Sequence, residues 1–340
     1  ISGASVDKMQ PKLKDIAREL GVSAATVSNT LNGSGRVSEE TRQRIWAKAE
    51  EVGYRPSLVG RALRTGRSGV LGLVLPDISN PLFPAFAQAI EADAARKGFG
   101  VLIADSHGDG AAQTKAIARM AQRGADGIVV VPCRGTQIPE TQVPVSIIDT
   151  SSNPDNTVAA DHGGGGRLAM THMQDLGHRK ILLVGQSRRS LVQTDRIAGM
   201  TGAVWPGNTV KTIWLEETPA IDVPALIAQG ISALIATSDL HALMLLVQIQ
   251  QTGHVVPRDI SVMGFDDHSF SSLISPGLTT LAQDTAKIAA CAVDNLVARL
   301  SDTPPPPEKI VPMRLIIRDT TSVAPITTRN TNTRETNQCD

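Results

Sequence analysis

At 340 residues the chain is long enough for two or three domains, each with its own core, which excludes a single small module. Its 33 basic residues are matched by 33 acidic ones, so the whole-chain charge points to no polyanionic partner, yet the first 69 residues hold twelve basic and seven acidic side chains, net +5. Cys133, Cys291 and Cys339 are widely spaced without a CxxC, which excludes a disulfide framework and a thiolate zinc site and fits a reducing cytoplasm; no apolar run reaches the roughly 18 to 20 residues of a membrane span. Residues 1–10 read as a flexible lead without the apolar core of a signal peptide.

Leu13, Ile16, Ala17 and Leu20 keep the spacing of one apolar helix face, and Gly21 supplies the turn after it. Ser23 is placed to cap a second helix, whose Ala24, Val27 and Leu31 point inward while Ala25, Thr26, Ser28 and Asn29 stay outside. Ser38 caps a third helix, with Glu39 and Glu40 at its positive end and Ile45, Ala49 and Val52 on its buried face. Three short helices around one core form the helix-turn-helix plan, in which the second helix enters the major groove; a small helical bundle without DNA is the other reading of this segment. After Tyr54 the stretch from Leu58 to Arg67 is basic and too short to hold a helix unaided, and Gly60 weakens it further. It reads either as a segment that orders on DNA, with Arg61, Arg64 and Arg67 near phosphates and Leu63 as a minor-groove wedge, or as an ordinary basic linker.

Leu13-Lys14-Asp15-Ile16-Ala17, Gly21-Val22-Ser23-Ala24-Ala25-Thr26-Val27-Ser28, Leu31-Asn32-Gly33, Arg36-Val37-Ser38 and Gly53-Tyr54-Arg55-Pro56 together resemble the lactose/galactose repressor (LacI/GalR) family, and the resemblance continues to about residue 320. It implies a bacterial transcription regulator that binds a palindromic operator as a homodimer. By the same resemblance Ala24, Ala25 and Asn29 occupy base-reading positions and Leu63 the intercalating hinge position, with Lys14, Ser23, Thr26, Ser28, Tyr54, Arg61 and Arg64 completing the DNA-facing set. Two alanines offer only methyl contacts, Asn29 stands where members often carry Arg, and Gly60 replaces a common Ala; these departures imply an unusual operator and a hinge that is harder to order.

From Gly69 onward the pattern is α/β, with β-rich runs at 70–75, 101–103, 128–131 and 145–148 and a restart at 181–184, 212–215, 233–236 and 260–263. Two lobes of parallel sheet follow. Ligands of such sheets bind beyond the carboxyl ends of the strands, where the sequence places Asp77, Ser79 and Asn80 with Phe83 nearby, then Asp105, Asp149, Ser238 with Asp239, and Asp266 with Asp267. That set suits a polyhydroxylated small molecule, although each carboxylate singly also reads as a turn or a helix cap. The family resemblance implies a periplasmic-binding-protein-like fold in which Asp149, Arg196, Ser238, Asp266 and Gln283 contact the effector and Asp77 and Phe83 stand at the mouth.

Gly163-Gly164-Gly165-Gly166 lacks the Gly-Lys-Ser/Thr ending of a phosphate loop and reads as a helix start after Asp161, and 202–207 suggests a lost or compressed helix before the next strand. His162, His172 and His178 show no zinc-binding spacing, so neither a metal nor another cofactor is expected. The prolines at 304–307 form a rigid connection into a strand over 311–317. Residues 326–340 are expected to be disordered and carry no leucine repeat for tetramerisation.

The expected organisation is therefore an N-terminal three-helix helix-turn-helix domain (11–55), a hinge (56–68), and a two-lobed effector domain of parallel sheets, with lobes 69–160 plus 284–311 and 161–283 plus 312–325. Ala85, Ala89 and Ile90, with the helix over 288–300, are candidate dimer faces. The expected function is that of a cytoplasmic, effector-responsive operator-binding regulator that is not an enzyme and senses a sugar or related polar molecule. Two rivals are a sugar-binding protein without DNA binding and an enzyme using Asp239 or Asp266 as a base.

Overall fold

The structure, a computed structural model, describes residues 13–31, 37–54, 66–218, 220–307 and 309–325. The chain divides into two units, Ile1–Gly69 and Val70–Asp340.

In the first unit α1 (Leu13–Leu20), α2 (Ala24–Leu31) and α3 (Glu39–Glu51) enclose a small core of Ile16, Ala17, Val27, Leu31, Ile45 and Ala49. Gly21 turns the chain between α1 and α2 at a φ of +66°, a conformation that costs a glycine little. The backbone N–H of Thr26 donates to Ser23 Oγ at 3.0 Å and that of Thr41 to Ser38 Oγ at 3.2 Å, so both expected caps are made.

The second unit holds two parallel sheets. The first runs β11 (Ile310–Val311), β5 (Val158–Ala160), β4 (Val145–Asp149), β3 (Gly127–Val130), β1 (Val70–Leu75) and β2 (Gly100–Asp105); the second runs β7 (Thr209–Trp214), β6 (Lys180–Gly185), β8 (Ala233–Ala236) and β9 (Ser261–Met263). In each, the first strand in sequence sits beside both the second and the third, which creates a switch point at the carboxyl edge where a crevice opens. β3 and β8 are buried along their whole lengths, which is why their sequences are continuous apolar runs rather than alternating ones. A third, antiparallel pair joins β10 (Thr280–Ala282) to β12 (Arg314–Ile316).

Helices α4 (Leu82–Arg96) and α5 (Gly110–Gln122) serve the first sheet, and α6 (His162–Asp175), α7 (Leu191–Gly202), α8 (Val223–Ala228) and α9 (Asp239–Gln251) follow the return to the second. α10 (Thr285–Leu300) comes back to pack on α4, β3 and β4. One apolar cluster, including Leu73, Val129, Met170, Leu183, Ile235 and Phe265, runs through both sheets.

Three expectations need correction. The strand expected over 311–317 is split between β11 and β12, which belong to different sheets, because Pro312 has no N–H to continue a ladder. The helix before 202–207 is not lost: α7 spans twelve residues, capped by Ser190, and ends at Gly202 before the chain turns. Ile90 is fully buried inside its own chain and presents nothing to a partner. Among the described residues no helix is long and apolar enough to cross a membrane.

Candidate functional site

On the first unit, packing of Val27 and Leu31 into the core turns the opposite side of α2 outward, leaving Ala25 and Asn29 exposed and Ser28 half-buried between them. Ala24 is half-buried against the core, and the hydroxyls of Ser23 and Thr26 lie 2.8 Å apart within the cap. Lys14 is exposed on α1. Tyr54 is half-buried beside the same core, and burial raises its phenol above the usual range. Of the expected DNA-facing residues, Arg61, Leu63 and Arg64 lie outside the described residues.

On the second unit, the carboxyl edges of β8 and β9 and the middle of α7 converge on a buried ionic cluster. Arg196 Nη2 donates to Asp266 Oδ1 at 2.7 Å, Nη1 to the Thr237 carbonyl at 2.6 Å, and Nε to His162 Nδ1 at 3.3 Å. Gln283 Nε2 donates to the same Asp266 oxygen at 2.7 Å, and the guanidinium lies 4.8 Å from the centroid of the Phe265 ring. Burial alone would raise the Asp266 pKa, but the charge and hydrogen bond of Arg196 hold it below the usual carboxylate value. The backbone of Asp266 has a φ of +106°, a strained region for a residue with a Cβ. Strain of this kind persists only where the surroundings fix it, here through the Arg196 and Gln283 bonds and an N–H to the Leu281 carbonyl at 2.7 Å.

The cluster reaches the carboxyl edge of the first sheet through His162. Its ring also bonds the backbone of Asp149, and burial, reinforced by Arg196, pushes its pKa to about 3, so the imidazole is neutral. Asp149 is half-buried; burial raises its pKa while a 2.7 Å bond from Asn153 opposes the rise. Next to it, Thr150 donates to Asp195 on α7. The close approach of α7 to α6 depends on glycines: a Cβ added to Gly166 would sit 2.2 Å from the Arg196 carbonyl oxygen, and one on Gly199 2.1 Å from that of Gly163. The four-glycine run is thus a helix start, capped by Asp161, that lets Arg196 be carried in against it.

Residues 12–57 match the model described as bacterial regulatory proteins, lacI family, and residues 170–321 match a periplasmic binding protein-like domain. The HTH-type transcriptional regulator reg1 of Streptomyces lividans is 31% identical, with 93% of this chain and 98% of the relative covered. The chain belongs to the lacI family of bacterial regulatory proteins. A ribose operon repressor of Halalkalibacterium halodurans is 27% identical over 91% of this chain and 96% of its own. The crystal structure of the lac repressor dimer bound to operator and the anti-inducer ONPF superposes with a TM-score of 0.76 at 26% identity, covering 92% of this chain and 100% of that one. This lacI-family member is accordingly an HTH-type transcriptional regulator, and the fold class expected from sequence is the one observed.

Within the regulator, the structure joins Arg196, Asp266 and Gln283 of the expected effector residues by hydrogen bonds. Ser238 caps α9, accepting from the His241 N–H at 3.3 Å, and adjoins the carbonyl of Thr237 that Arg196 grips. Asp77 is occupied by Ser79, whose N–H and hydroxyl donate to it at 2.9 and 2.7 Å and lower its pKa. Phe83 packs against the apolar cluster that runs through both sheets. Sequence reasoning missed His162 and Asp195 as parts of the site, and Gln193, whose Oε1 accepts from Gln186 N at 2.6 Å and Thr237 Oγ1 at 3.2 Å. The signal for Gln193 was its i, i+3 spacing to Arg196, which puts both on one face of α7. His172 and His178 lie apart from this site, bonded to Thr321 and to Ser232, and among the described residues no cluster of His, Cys, Asp or Glu could hold a metal.

Proposed function

We propose that this regulator represses transcription by binding a palindromic operator as a homodimer, and that a neutral sugar or related polyol in the cleft changes its operator affinity. The observation that carries the effector half is the preorganised Arg196–Asp266–Gln283 group at the carboxyl edge of the second sheet. Its hydrogen-bonding atoms are fixed before any ligand arrives. Asp149 and Ser238 add acceptor and hydroxyl groups, and Asp77 and Phe83 form the rim. The lobes in this reading are 69–160 plus 284–311 and 161–283 plus 312–325, and closure between them is the two-state element that the ligand biases. The ribose operon repressor and the operator-bound lac repressor support the same reading by likeness.

On the DNA side, Ala25, Ser28 and Asn29 of α2 read base edges with Ala24 beside them, and Lys14, Ser23, Thr26 and Tyr54 serve the backbone. Arg61, Leu63 and Arg64 belong to a hinge over 56–68. A chain with this task acts in the cytoplasm and is not an enzyme: Asp239, the alternative base, accepts from His268 N, Ser271 Oγ and Thr280 Oγ1 at 2.8, 2.6 and 2.5 Å, and Asp266 is ion-paired.

The test is selection from random DNA duplexes at two salt concentrations, with and without a panel of sugars, followed by sequencing. A palindrome with salt-sensitive affinity that one sugar alters is the expected result; no enriched sequence in any condition overturns the reading.

A further inference from the structure

We propose that His241 contacts the effector directly and selects for a ligand oxygen that accepts a hydrogen bond, donating from Nε2 while Ser238 holds Nδ1. The inference rests on the sugar-sensing reading of the cleft and adds to it a contact residue outside the set named above.

The placement comes first. His241 lies in the first turn of α9, immediately beyond the carboxyl edge of β8, where open parallel sheets receive ligands. It is partly exposed, and the charges acting on it come from both lobes: Arg134 after β3, and Arg196 and Asp266 of the buried cluster. The ring therefore stands within range of charged groups that follow strands of both sheets, at the edge where the crevice opens.

Protonation follows from the bonding. Ser238 Oγ already accepts the His241 backbone N–H at 3.3 Å, so its own proton is available to Nδ1, 2.8 Å away. With Nδ1 accepting, a neutral imidazole carries its proton on Nε2. Burial, then the positive charge of Arg134, pushes the ring to about 4, so it is neutral near pH 7. Among the described residues Nε2 has no hydrogen-bond partner, whereas three of the five N–H groups of Arg196 are bonded to protein acceptors. His241 thus offers the cleft a fixed, uncharged donor.

The surrounding charge sets the ligand class. Asp266 is neutralised by Arg196 and Arg134 is paired with Glu216 at 3.7 Å, but Asp149 and Asp195 remain close together and, among the described residues, without a cation at hydrogen-bond distance. An anionic ligand such as a sugar phosphate meets repulsion there, while hydroxyl groups find acceptors. A neutral sugar that gives hydroxyl protons to the carboxylates and takes the Nε2 proton on a ring, carbonyl or hydroxyl oxygen satisfies both sets.

The experiment is calorimetric titration of the full chain with ribose, glucose, maltose, cellobiose and glucose 6-phosphate, repeated on H241A, H241Q, H241F and S238A. Circular dichroism and operator binding serve as folding controls. A neutral sugar is expected to bind the unaltered chain, about tenfold more weakly to H241A, with partial recovery in H241Q, whose amide restores a donor. S238A removes both the hold on the ring and the hydroxyl already assigned to the ligand, so it weakens the same sugar without separating the two; H241F, titrated alongside, keeps an aromatic ring without a donor and keeps the proposal testable if H241A fails to fold. Equal affinity in H241A, H241F or S238A, no gain from Gln over Ala, or preference for the phosphate ester overturns the proposal. If operator binding persists and no sugar in the panel binds, the ligand class falls with it; if neither DNA nor sugar binds, the underlying functional reading is what fails.

Discussion

Arg196 donates from Nε to Nδ1 of His162 across 3.3 Å, and both side chains are buried. A guanidinium, which has no acceptor, makes that bond only to an unprotonated ring nitrogen. The imidazole is therefore a neutral bridge between the backbone of Asp149 at the end of the first sheet's β4 and the Arg196–Asp266 pair beside the second sheet. An effector that touches Asp149 and Asp266 together acts on the two ends of one hydrogen-bonded chain.

Breaking the ion pair on one side leaves a buried charge uncompensated. D266N is expected to destabilise the second unit by about 3 kcal/mol, within the range for removing one partner of a buried pair. The double variant R196M/D266N, which removes both charges, is expected to lose less than the sum of the two single variants. Chemical denaturation of the three proteins measures this; additive losses would mean that the two groups do not depend on each other.

The helix packing that carries Arg196 is testable without touching a polar group. G199A places a methyl group 2.1 Å from the Gly163 carbonyl oxygen, so α6 and α7 must separate. The expected loss is about 1–3 kcal/mol, with weaker sugar binding. G202A is the control, because nothing lies within 4 Å of the added carbon, and it should leave stability unchanged or slightly raised. Similar unfolding midpoints for the two variants would show that the contact is not limiting.

The difference between those glycines also shows where sequence reading ends. Apolar runs revealed the three helices of the first unit and the strands β1 to β4 and β6 to β9, because each buries a face whose spacing is written in one stretch of chain. β5 and β10 span three residues each and are defined by their neighbours, so no local period announces them. Pro312 was visible, but its effect depended on which sheets lay on either side of it. In the site, the acidic residues at strand ends were legible from position alone. That Arg196 would meet His162, 34 residues away, depends on two helices approaching through glycine, and a run of glycines that reads as a helix start does not say which helix it will meet.

The neutral bridge makes stability depend on pH in a definite direction. The folded-state pKa of His162 is depressed to about 3, whereas the ring in the unfolded chain titrates near its ordinary value of 6.5. Its contribution is therefore fully present above pH 6.5 and is lost as pH falls from there toward 3. His172 and His178 are depressed chiefly by burial and act in the same direction. Asp239, raised to about 7 by burial and the Asp266 charge, opposes them, since its contribution is lost as pH rises from 3.8 toward 7. The difference between H162Q and the unaltered chain isolates the bridge: between pH 7 and 5 the variant should lose less stability. Parallel pH profiles, or a His162 proton taken up in the folded protein near pH 6 by nuclear magnetic resonance, would contradict it.

On the DNA side, the two kinds of contact expected of α1 and α2 separate experimentally. Lys14 is exposed and carries a charge with no sequence information, so K14A should weaken binding to all duplexes alike. It should also reduce the slope of log affinity against log salt by roughly 0.9, the value for one lost phosphate contact. Asn29 is exposed on the outward side of α2, and N29A should cost about 1–3 kcal/mol on the preferred operator while relaxing selection at one position in each half-site. Equilibrium binding across a salt series, paired with selection and sequencing, reads both effects. A uniform loss for N29A, or a change of preferred sequence for K14A, would reverse the assignments and mean that α2 lies along the backbone rather than in the groove.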